Sequence, residues 1–315
     1  MSATADLLLA LGGNAFAAAG ARLSMPGQFE YAEAVAARIL PCVQDAARVL
    51  IVHGNGPQVG QIFARVEAAL DRAYAQPLDV CVAESEGELG YVLLQALRNA
   101  WRAQGVTREL CALLTQVLVA AEDPAFADPV KPIGRFLAAD EAARLRATGI
   151  PVREDAGRGW RRVVASPSPR EVLETASIAR LLAAGVVVIA AGGGGVPVTE
   201  TEGRITGVEA VIDKDATAAL LADALALPTL VMLTDVPCAY AHYRRPNQRA
   251  IGRVTRAALE ELDAAGHFAP GSMAPKIAAA RAFVDRPGRR ALICALDNLA
   301  ATLAGASGTY VEFGV

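Results

Sequence analysis

Lysine is scarce in this 315-residue chain. Of the 30 lysine and arginine residues, only three are lysines, which leaves 27 arginines. A lysine ammonium group is a compact charge, whereas the arginine guanidinium is a wide planar fork. We therefore expect the lysines to stand where function requires a small cation; the alternative is a random remnant of the compositional bias. The three are Lys131, Lys214 and Lys276.

Signatures of several other chemistries are missing. The phosphate-binding pattern GxxxxGK[ST] occurs nowhere, so a phosphate site would need its positive charge from elsewhere in the chain. The three histidines lack the spacing of metal ligands, and the five cysteines form no CxxC pair. The histidines and cysteines thus show no pattern of a metal site, and we expect the cysteines to be reduced and mostly buried.

Long apolar runs and a strong excess of one charge are also missing. No run reaches the length of a membrane span, and the N-terminus lacks the regions typical of a secretory signal. The net charge of −3 argues against general binding to nucleic acids or anionic membranes. With 53% hydrophobic and 20% charged residues, we expect a folded, cytoplasmic protein with a large core.

Short apolar runs alternate with helical patterns along most of the chain. The runs are nearly continuous, as in parallel strands that are covered on both faces, so their order predicts a doubly wound α/β sheet. The predicted strands are Asp6–Leu11, Arg48–Val52, Cys111–Val119, Val186–Ala190, Thr229–Leu233 and Ala291–Leu296. The predicted helices are Gln58–Leu70, Val92–Gln104, Pro169–Ala184, Asp213–Ala224 and Thr255–Gly266.

One segment, from residue 122 to about residue 168, interrupts this alternation. It is rich in proline and arginine, and its pattern predicts one short helix near Ala138–Thr148 and a hairpin. We interpret it as a flap, a small subdomain outside the sheet. Long insertions of this kind are more often functional than idle.

Three predicted strands run into glycine-rich turns. The turns lie in "LALGGNA", "IVHGNGPQVG" and "VIAAGGGGVPV". Ligands of open parallel sheets gather at the carboxyl ends of the strands, and glycine lets backbone N–H groups approach an anion there. One such turn would be explained by tight chain reversal alone. Three in one sheet favour an anion site, with a helix after Asn55 or Gly56 directing its N-terminus at the ligand.

Two of the lysines lie at predicted helix starts. Asp213 is expected to cap a helix whose first turn holds Lys214 and Asp215, and Lys276 is expected in the first turn of a helix that begins near Pro275. A cation at a helix N-terminus opposes the helix dipole unless an anion binds there. Both positions therefore point to a negative ligand.

Glycine-rich turns and distant lysines together fit phosphoryl transfer, in which the protein mainly positions groups and neutralises charge. In this interpretation Asp215 orients the lysines or holds Mg²⁺; the alternative is an ordinary first-turn acid. His53 is the only candidate base, and a packed histidine at a strand end explains it better. The arginines at 158, 161 and 162 fit a solvated or salt-bridged face of the flap better than a binding site.

The chain resembles the carbamate kinases, which have the amino acid kinase fold. The resemblance spans nearly the whole length and is carried by "ALGGNA", "VHGNGPQVG", "LDVCVAESEGELGY", "EDPAFADPVKPIG", "AAGGGGVPV", "VIDKDATAALLA", "LTDV" and "GSMAPK". It implies a single three-layer αβα domain over residues 1–315. Residues 1 to about 190 would form the lobe that binds the phosphoryl acceptor, with the flap protruding from it. Residues from about 191 to 315 would form the nucleotide-binding lobe.

The resemblance also implies roles for individual residues. The catalytic set would be Lys131, Lys214, Asp215 and Lys276. The acceptor and the transferred phosphoryl group would contact Gly12, Gly13, Asn14, Gly54, Asn55 and Gly56. The nucleotide would contact Gly193, Gly194, Thr234, Asp235, Tyr240, Ser272 and Met273. The implied cofactors are ATP or ADP with nucleotide-borne Mg²⁺, the implied substrates are carbamate and carbamoyl phosphate, and a homodimer acting in arginine metabolism is implied.

The chain departs from the family pattern at three positions, Val130, Arg135 and Glu86. These changes bear on substrate preference and flap closure rather than on the type of reaction. Two rival hypotheses remain: another acid kinase of this fold with a larger acceptor, or a nucleotide-binding homologue without turnover. The intact lysines and Asp215 argue against the second. The sequence leaves open the direction in which the reaction runs.

Overall fold

The structure is a computed structural model that describes residues 6–12, 24–154, 159–269 and 272–314. The strands are β1 Leu7–Leu11, β2 Val49–His53, β3 Leu110–Ala112, β4 Gln116–Val119, β5 Lys131–Leu137, β6 Val152–Glu154, β7 Trp160–Val164, β8 Pro169–Val172, β9 Val187–Ile189, β10 Val196–Thr201, β11 Arg204–Gly207, β12 Thr229–Thr234, β13 Ala239–Ala241, β14 Arg249–Ile251, β15 Arg253–Thr255, β16 Arg290–Ala295 and β17 Thr309–Glu312. The helices are α1 Met25–Val43, α2 Gly56–Ala68, α3 Leu78–Ala103, α4 Ala139–Ala147, α5 Thr175–Ala183, α6 Lys214–Ala224, α7 Arg256–Ala264, α8 Met273–Phe283 and α9 Leu299–Leu303.

The main sheet has eight strands in the order β15–β17–β16–β12–β1–β2–β9–β3. Its neighbouring strands are parallel, except that β16 and β17 are antiparallel. The predicted doubly wound α/β sheet is thus confirmed. β1 lies at its centre, with β12 on one side and β2 on the other.

Helices cover both faces of the main sheet. Successive residues of β1 alternate between two hydrophobic cores, because side chains along a strand point to opposite faces. Leu8 belongs to the core built with α5, α6 and α8, whereas Leu9 belongs to the core built with α1 and α3. The result is the expected three-layer αβα arrangement. None of the described helices combines the length and apolar character needed to cross a membrane.

The flap, residues 122–168, contains the antiparallel sheet β5–β7–β6 and the helix α4. The predicted short helix is confirmed within one residue at each end, and the predicted hairpin is part of a three-stranded sheet. Lys131 is the first residue of β5, where it pairs with Val164 of β7.

Three predicted elements were wrong in extent. Residues 111–119 form two strands, β3 and β4, in different sheets, because the chain leaves the main sheet between them. The first residues of the helix predicted at 169–184 form β8, which pairs with β4. The helix predicted from Val92 begins at Leu78, and α1, which holds an internal Pro41, was not predicted at all.

The flap is seated on α2 through two glycines. A Cβ atom at Gly60 of α2 would lie 2.1 Å from the Cα atom of Gly134 in β5, so only glycine permits this contact between two backbones. Arg162 of β7 makes a second contact with α2: it pairs with Glu67 at 2.5 Å, and its guanidinium carbon lies 4.4 Å from the ring centre of Phe63. α2 therefore fixes the place of the flap.

We expect Gly60→Ala to lower the free energy of unfolding by about 1–3 kcal/mol, because backbone atoms must shift to admit the new methyl group. Gly87→Ala is the matched control, since Gly87 is also helical but has open space at its Cβ position. The control should be neutral or stabilising by up to about 1 kcal/mol. Urea unfolding of both variants checks this, and equal stability of the two would contradict a close contact between Gly60 and Gly134.

Candidate active site

Four neighbouring strands bring the sequence motifs to one edge of the main sheet. The carboxyl ends of β12, β1, β2 and β9 carry Thr234, Gly12, Gly54 and the glycines from Gly192 onward. The amide of Gly54 donates to the carbonyl oxygen of Leu11 at 3.1 Å, which joins two of the turns directly. Gly13 and Asn14 lie outside the described residues, so their expected contacts stay predictions.

Lys214, Asp215 and Lys276 meet in one cluster. The ammonium group of Lys214 donates to Asp215 Oδ1 at 2.6 Å, and that of Lys276 donates to Asp215 Oδ2 at 2.9 Å. The side chains of both lysines are 11% exposed and that of Asp215 is 4% exposed. The predicted helix starts explain this meeting, because α6 begins at Lys214 after the cap Asp213 and α8 begins at Met273.

Mutual attraction decides the charge states of this cluster. Burial alone would raise the pKa of Asp215, but Lys214 and Lys276 outweigh it and hold that pKa well below its ordinary value. Burial lowers the pKa of Lys214. For Lys276 burial acts in the same direction, yet the Asp215 carboxylate outweighs it and raises the pKa. The cluster thus presents two ammonium groups aligned by one carboxylate.

Lys131 joins the cluster from the flap. Its ammonium group pairs with Asp213 Oδ2, while Asp213 Oδ1 accepts the amide of Asp215 at 3.0 Å. Asp213 therefore caps α6, as predicted, and also holds the flap lysine, which sequence reasoning did not find. Burial works against the charged form of Asp213, but Lys131 outweighs it and lowers the pKa. All three lysines of the chain lie beside the start of α6.

The glycine turn after β9 packs tightly against the protein. A Cβ atom at Gly193 would lie 2.0 Å from Asn55 Nδ2, and one at Gly194 would lie 2.6 Å from the carbonyl oxygen of Ile212. The amide of Gly194 donates to Ala191 and that of Gly195 to Gly192. These glycines thus allow close packing between the sheet edge and α6; contact of Gly193 and Gly194 with a nucleotide stays a prediction.

The turn after β2 leads into α2 as expected. Asn55 is its N-cap residue and is 2% exposed, with its side-chain amide donating to Ser85 Oγ at 2.8 Å. Gly56 begins the helix, and a Cβ atom there would meet no atom of another described element within 4 Å. His53 is fully buried, and burial lowers its pKa to about 4. It is therefore neutral at neutral pH, as expected of a packed histidine.

The predicted nucleotide contacts lie at the end of β12, at the start of α8 and in the small sheet β13–β14. Thr234 ends β12, and the exposed Asp235 beyond it is close enough for its charge to raise the pKa of Lys276. Ser272 and Met273 start α8. Tyr240 lies in the small sheet β13–β14, with its ring centre 5.8 Å from that of Tyr243. Their contacts with a ligand stay predictions.

A protein-held metal ion does not fit the described residues. They contain no group of three His, Cys, Asp or Glu side chains placed to hold an ion. Both oxygens of Asp215 are engaged by lysines, which favours the orienting role over the metal-holding role. A polyanion with several oxygens is the ligand that this set of donors suits best.

Comparison with known proteins assigns the family. Residues 7–295 match the Amino acid kinase family. The carbamate kinase of Pyrococcus horikoshii is 42% identical over 308 residues, which cover 97% of this chain and 98% of the relative. The structure of carbamate kinase from Giardia lamblia bound to citric acid is similar with a TM-score of 0.94, and that bound to AMP-PNP with a TM-score of 0.90. Both are 39% identical and cover 99% of each chain. The chain therefore belongs to the amino acid kinase family, in which it groups with the carbamate kinases.

Proposed function

We propose that this protein catalyses reversible phosphoryl transfer between ATP and carbamate, which gives ADP and carbamoyl phosphate. The observation that carries the proposal is the buried Lys214–Asp215–Lys276 cluster with Lys131 beside it. The similarity to carbamate kinases over nearly the whole chain supports the same reaction.

The reaction needs charge stabilisation rather than a base. A carbamate oxygen forms a bond to the γ-phosphorus of ATP as the bond from that phosphorus to the bridging oxygen breaks, and ADP leaves with the electron pair. Carbamate is already an anion, so no proton has to be removed; the neutral, buried His53 agrees with this. Lys214 and Lys276 would bind the phosphate oxygens on which negative charge develops. Asp215 would keep both ammonium groups oriented.

The remaining contacts follow from the position of each element. The turns that hold Gly12, Gly54, Asn55 and Gly56 lie at the carboxyl edge of the main sheet and would bind carbamate and the transferred group, in the lobe up to about residue 190. The start of α8 and the end of β12 would bind the nucleotide in the second lobe. The AMP-PNP complex of the Giardia lamblia enzyme supports nucleotide binding as such. Mg²⁺ would arrive with the nucleotide phosphates, and no protein ligand for it is proposed.

The test mixes the purified protein with ADP, Mg²⁺ and carbamoyl phosphate and measures ATP. We expect ATP to form in proportion to enzyme, and acetyl phosphate in place of carbamoyl phosphate to give far less. ATP from another acyl phosphate but none from carbamoyl phosphate would favour a different acid kinase. No ATP from any donor, with nucleotide still bound, would favour a homologue without turnover.

We further propose that the protein works as a homodimer in the cytoplasm, in arginine metabolism. The neighbouring helices α1 and α3 expose large apolar side chains, among them Tyr91 at 58% exposure and Met25 at 43%. Such a patch on adjacent helices is typical of a surface that a second subunit covers. Light scattering should give twice the mass of one chain; the mass of a single chain at micromolar concentration would rule the dimer out.

A further inference from the structure

A buried carboxylate lies beneath the glycine turn, outside the lysine cluster. Glu86 of α3 is 4% exposed, and its oxygens accept three hydrogen bonds. Oε1 accepts the Thr115 hydroxyl at 2.5 Å and the Gly192 amide at 2.9 Å, and Oε2 accepts the Thr115 amide at 3.2 Å. A carboxylate with this degree of burial needs such donors.

The hydrogen bonds continue into the turn itself. The Thr115 hydroxyl, while donating to Glu86, accepts the amide of Ala191 at 2.7 Å. Ala191 has a φ angle of 50°, a left-handed conformation that residues other than glycine rarely adopt. Such a conformation persists only where its surroundings enforce it. Thr115 and Glu86 hold this conformation by accepting the amides of Ala191 and Gly192, respectively.

The glycine turn also contacts the start of α6. The Thr217 hydroxyl of α6 donates to the carbonyl oxygen of Gly194 at 2.9 Å, and Gly194 packs against Ile212 just before the cap of α6. A displacement of the turn therefore displaces the helix start that carries Lys214 and Asp215. One tightly packed segment, Ala191–Gly194, thus connects Glu86 to the start of α6 and its lysine cluster.

We propose that Glu86 is a positioning residue, which through Thr115 and Gly192 holds the segment Ala191–Gly194, and with it the start of α6, in the arrangement that transfers the phosphoryl group. This inference rests on the proposed function. The ionised carboxylate accepts from all three donors, whereas a protonated carboxyl group offers one of its oxygens as a donor instead. The ionised form thus holds the turn more tightly.

The ionisation of Glu86 falls in the neutral range. Burial raises the pKa of Glu86 to about 7, although the hydrogen bonds from Thr115 and Gly192 act in the opposite direction, and the charge of Glu174 adds to the rise. His53, at the end of β2, also borders the turn. Burial, together with the positive charge of Lys214, lowers the pKa of His53 to about 4, so His53 is neutral near pH 7. We expect turnover to increase as pH rises through about 7.

The test compares pH profiles of ATP formation from carbamoyl phosphate in wild type and Glu86→Gln between pH 5.5 and 8.5. Substrate ionisation affects both proteins alike, so it cancels when kcat of wild type is divided by kcat of Glu86→Gln. We expect this ratio to rise by roughly tenfold as pH rises through 7, since the variant loses charge-assisted hydrogen bonds that wild type has only when ionised. Nucleotide affinity should change less than kcat.

A second pair of variants keeps the test decisive if Glu86→Gln does not fold. Thr115→Ser retains the hydroxyl and should leave the profile of wild type unchanged. Thr115→Val removes a donor that lowers the pKa of Glu86, so its transition should move to higher pH. A flat ratio for Glu86→Gln, or identical profiles for the two Thr115 variants, would overturn the inference while wild type still makes ATP. Absence of ATP from wild type would instead count against the proposed function.

Discussion

Replacing Lys276 with alanine should lower kcat for ATP formation by at least about a hundredfold, and Lys214→Ala should do the same. Removal of one preorganised donor to a developing charge typically costs a factor of about 10²–10³ in kcat. Both ammonium groups are buried and fixed by Asp215, so water cannot take over their role efficiently. The measurement is steady-state turnover of ADP and carbamoyl phosphate at saturating substrate.

Arg281→Ala is the matched control for Lys276→Ala. Arg281 is a cation on the same helix, but it pairs with Glu260 and Asp263 of the neighbouring helix α7. We expect kcat of Arg281→Ala to stay within a factor of about two, because Arg281 pairs with carboxylates of α7 and not with Asp215. Full turnover in either lysine variant, with the fold verified by circular dichroism, would remove the lysine cluster from the mechanism.

The second large effect concerns stability as well as activity. We expect Asp215→Ala to lower the free energy of unfolding by about 3–5 kcal/mol at neutral pH and to abolish turnover. The variant leaves two buried ammonium groups without the carboxylate that they share, and removal of one partner from a buried ion pair is strongly destabilising. Asp223→Ala is the control, since Asp223 lies on the same helix, is 45% exposed, and pairs with Arg286 and Arg289, which both keep Asp285 as a second partner. Its loss should cost no more than about 1 kcal/mol.

Stability should rise with pH in both proteins, but in different pH ranges. In wild type the folded pKa of Asp215 is depressed, so its contribution is present above the ordinary carboxyl pKa and is lost as the pH falls below it. In Asp215→Ala the unpaired lysines would bind protons less well in the folded state than in the unfolded state. The variant should therefore recover stability as the pH rises from 7 toward 10. Urea unfolding at both pH values measures this, and a constant deficit would contradict the charge explanation.

The sequence predicted the positions of the cluster because local rules determine them. Asp213 caps α6 and places Lys214 and Asp215 in its first turn, and Lys276 lies in the first turn of α8. The meeting of the strand ends follows from the properties of parallel sheets. Any chain with this order of elements would bring those turns to one edge.

Other features depend on contacts between distant residues, which periodicity does not report. The pairing of Lys131 with Asp213 joins residues 82 positions apart. The break between β3 and β4 is invisible in a continuous apolar run, since both pieces have strand character. Glu86 could have been recognised as buried, because it shares a helical face with Val82 and Leu89, but its partners could not. Helix α1 was missed because Pro26 and Pro41 weaken its pattern.

The pairing of Lys131 with Asp213, described above, has a consequence for selectivity among anions. Together with the neighbouring cluster it sets three positive charges against two negative ones, a surplus of only one charge, and the nearby Asp235 reduces that surplus further. A chloride ion or a single phosphate gains little from so small a surplus. A triphosphate chain is long enough to engage several ammonium groups at once, so we expect the site to prefer a polyvalent anion to a small monovalent one.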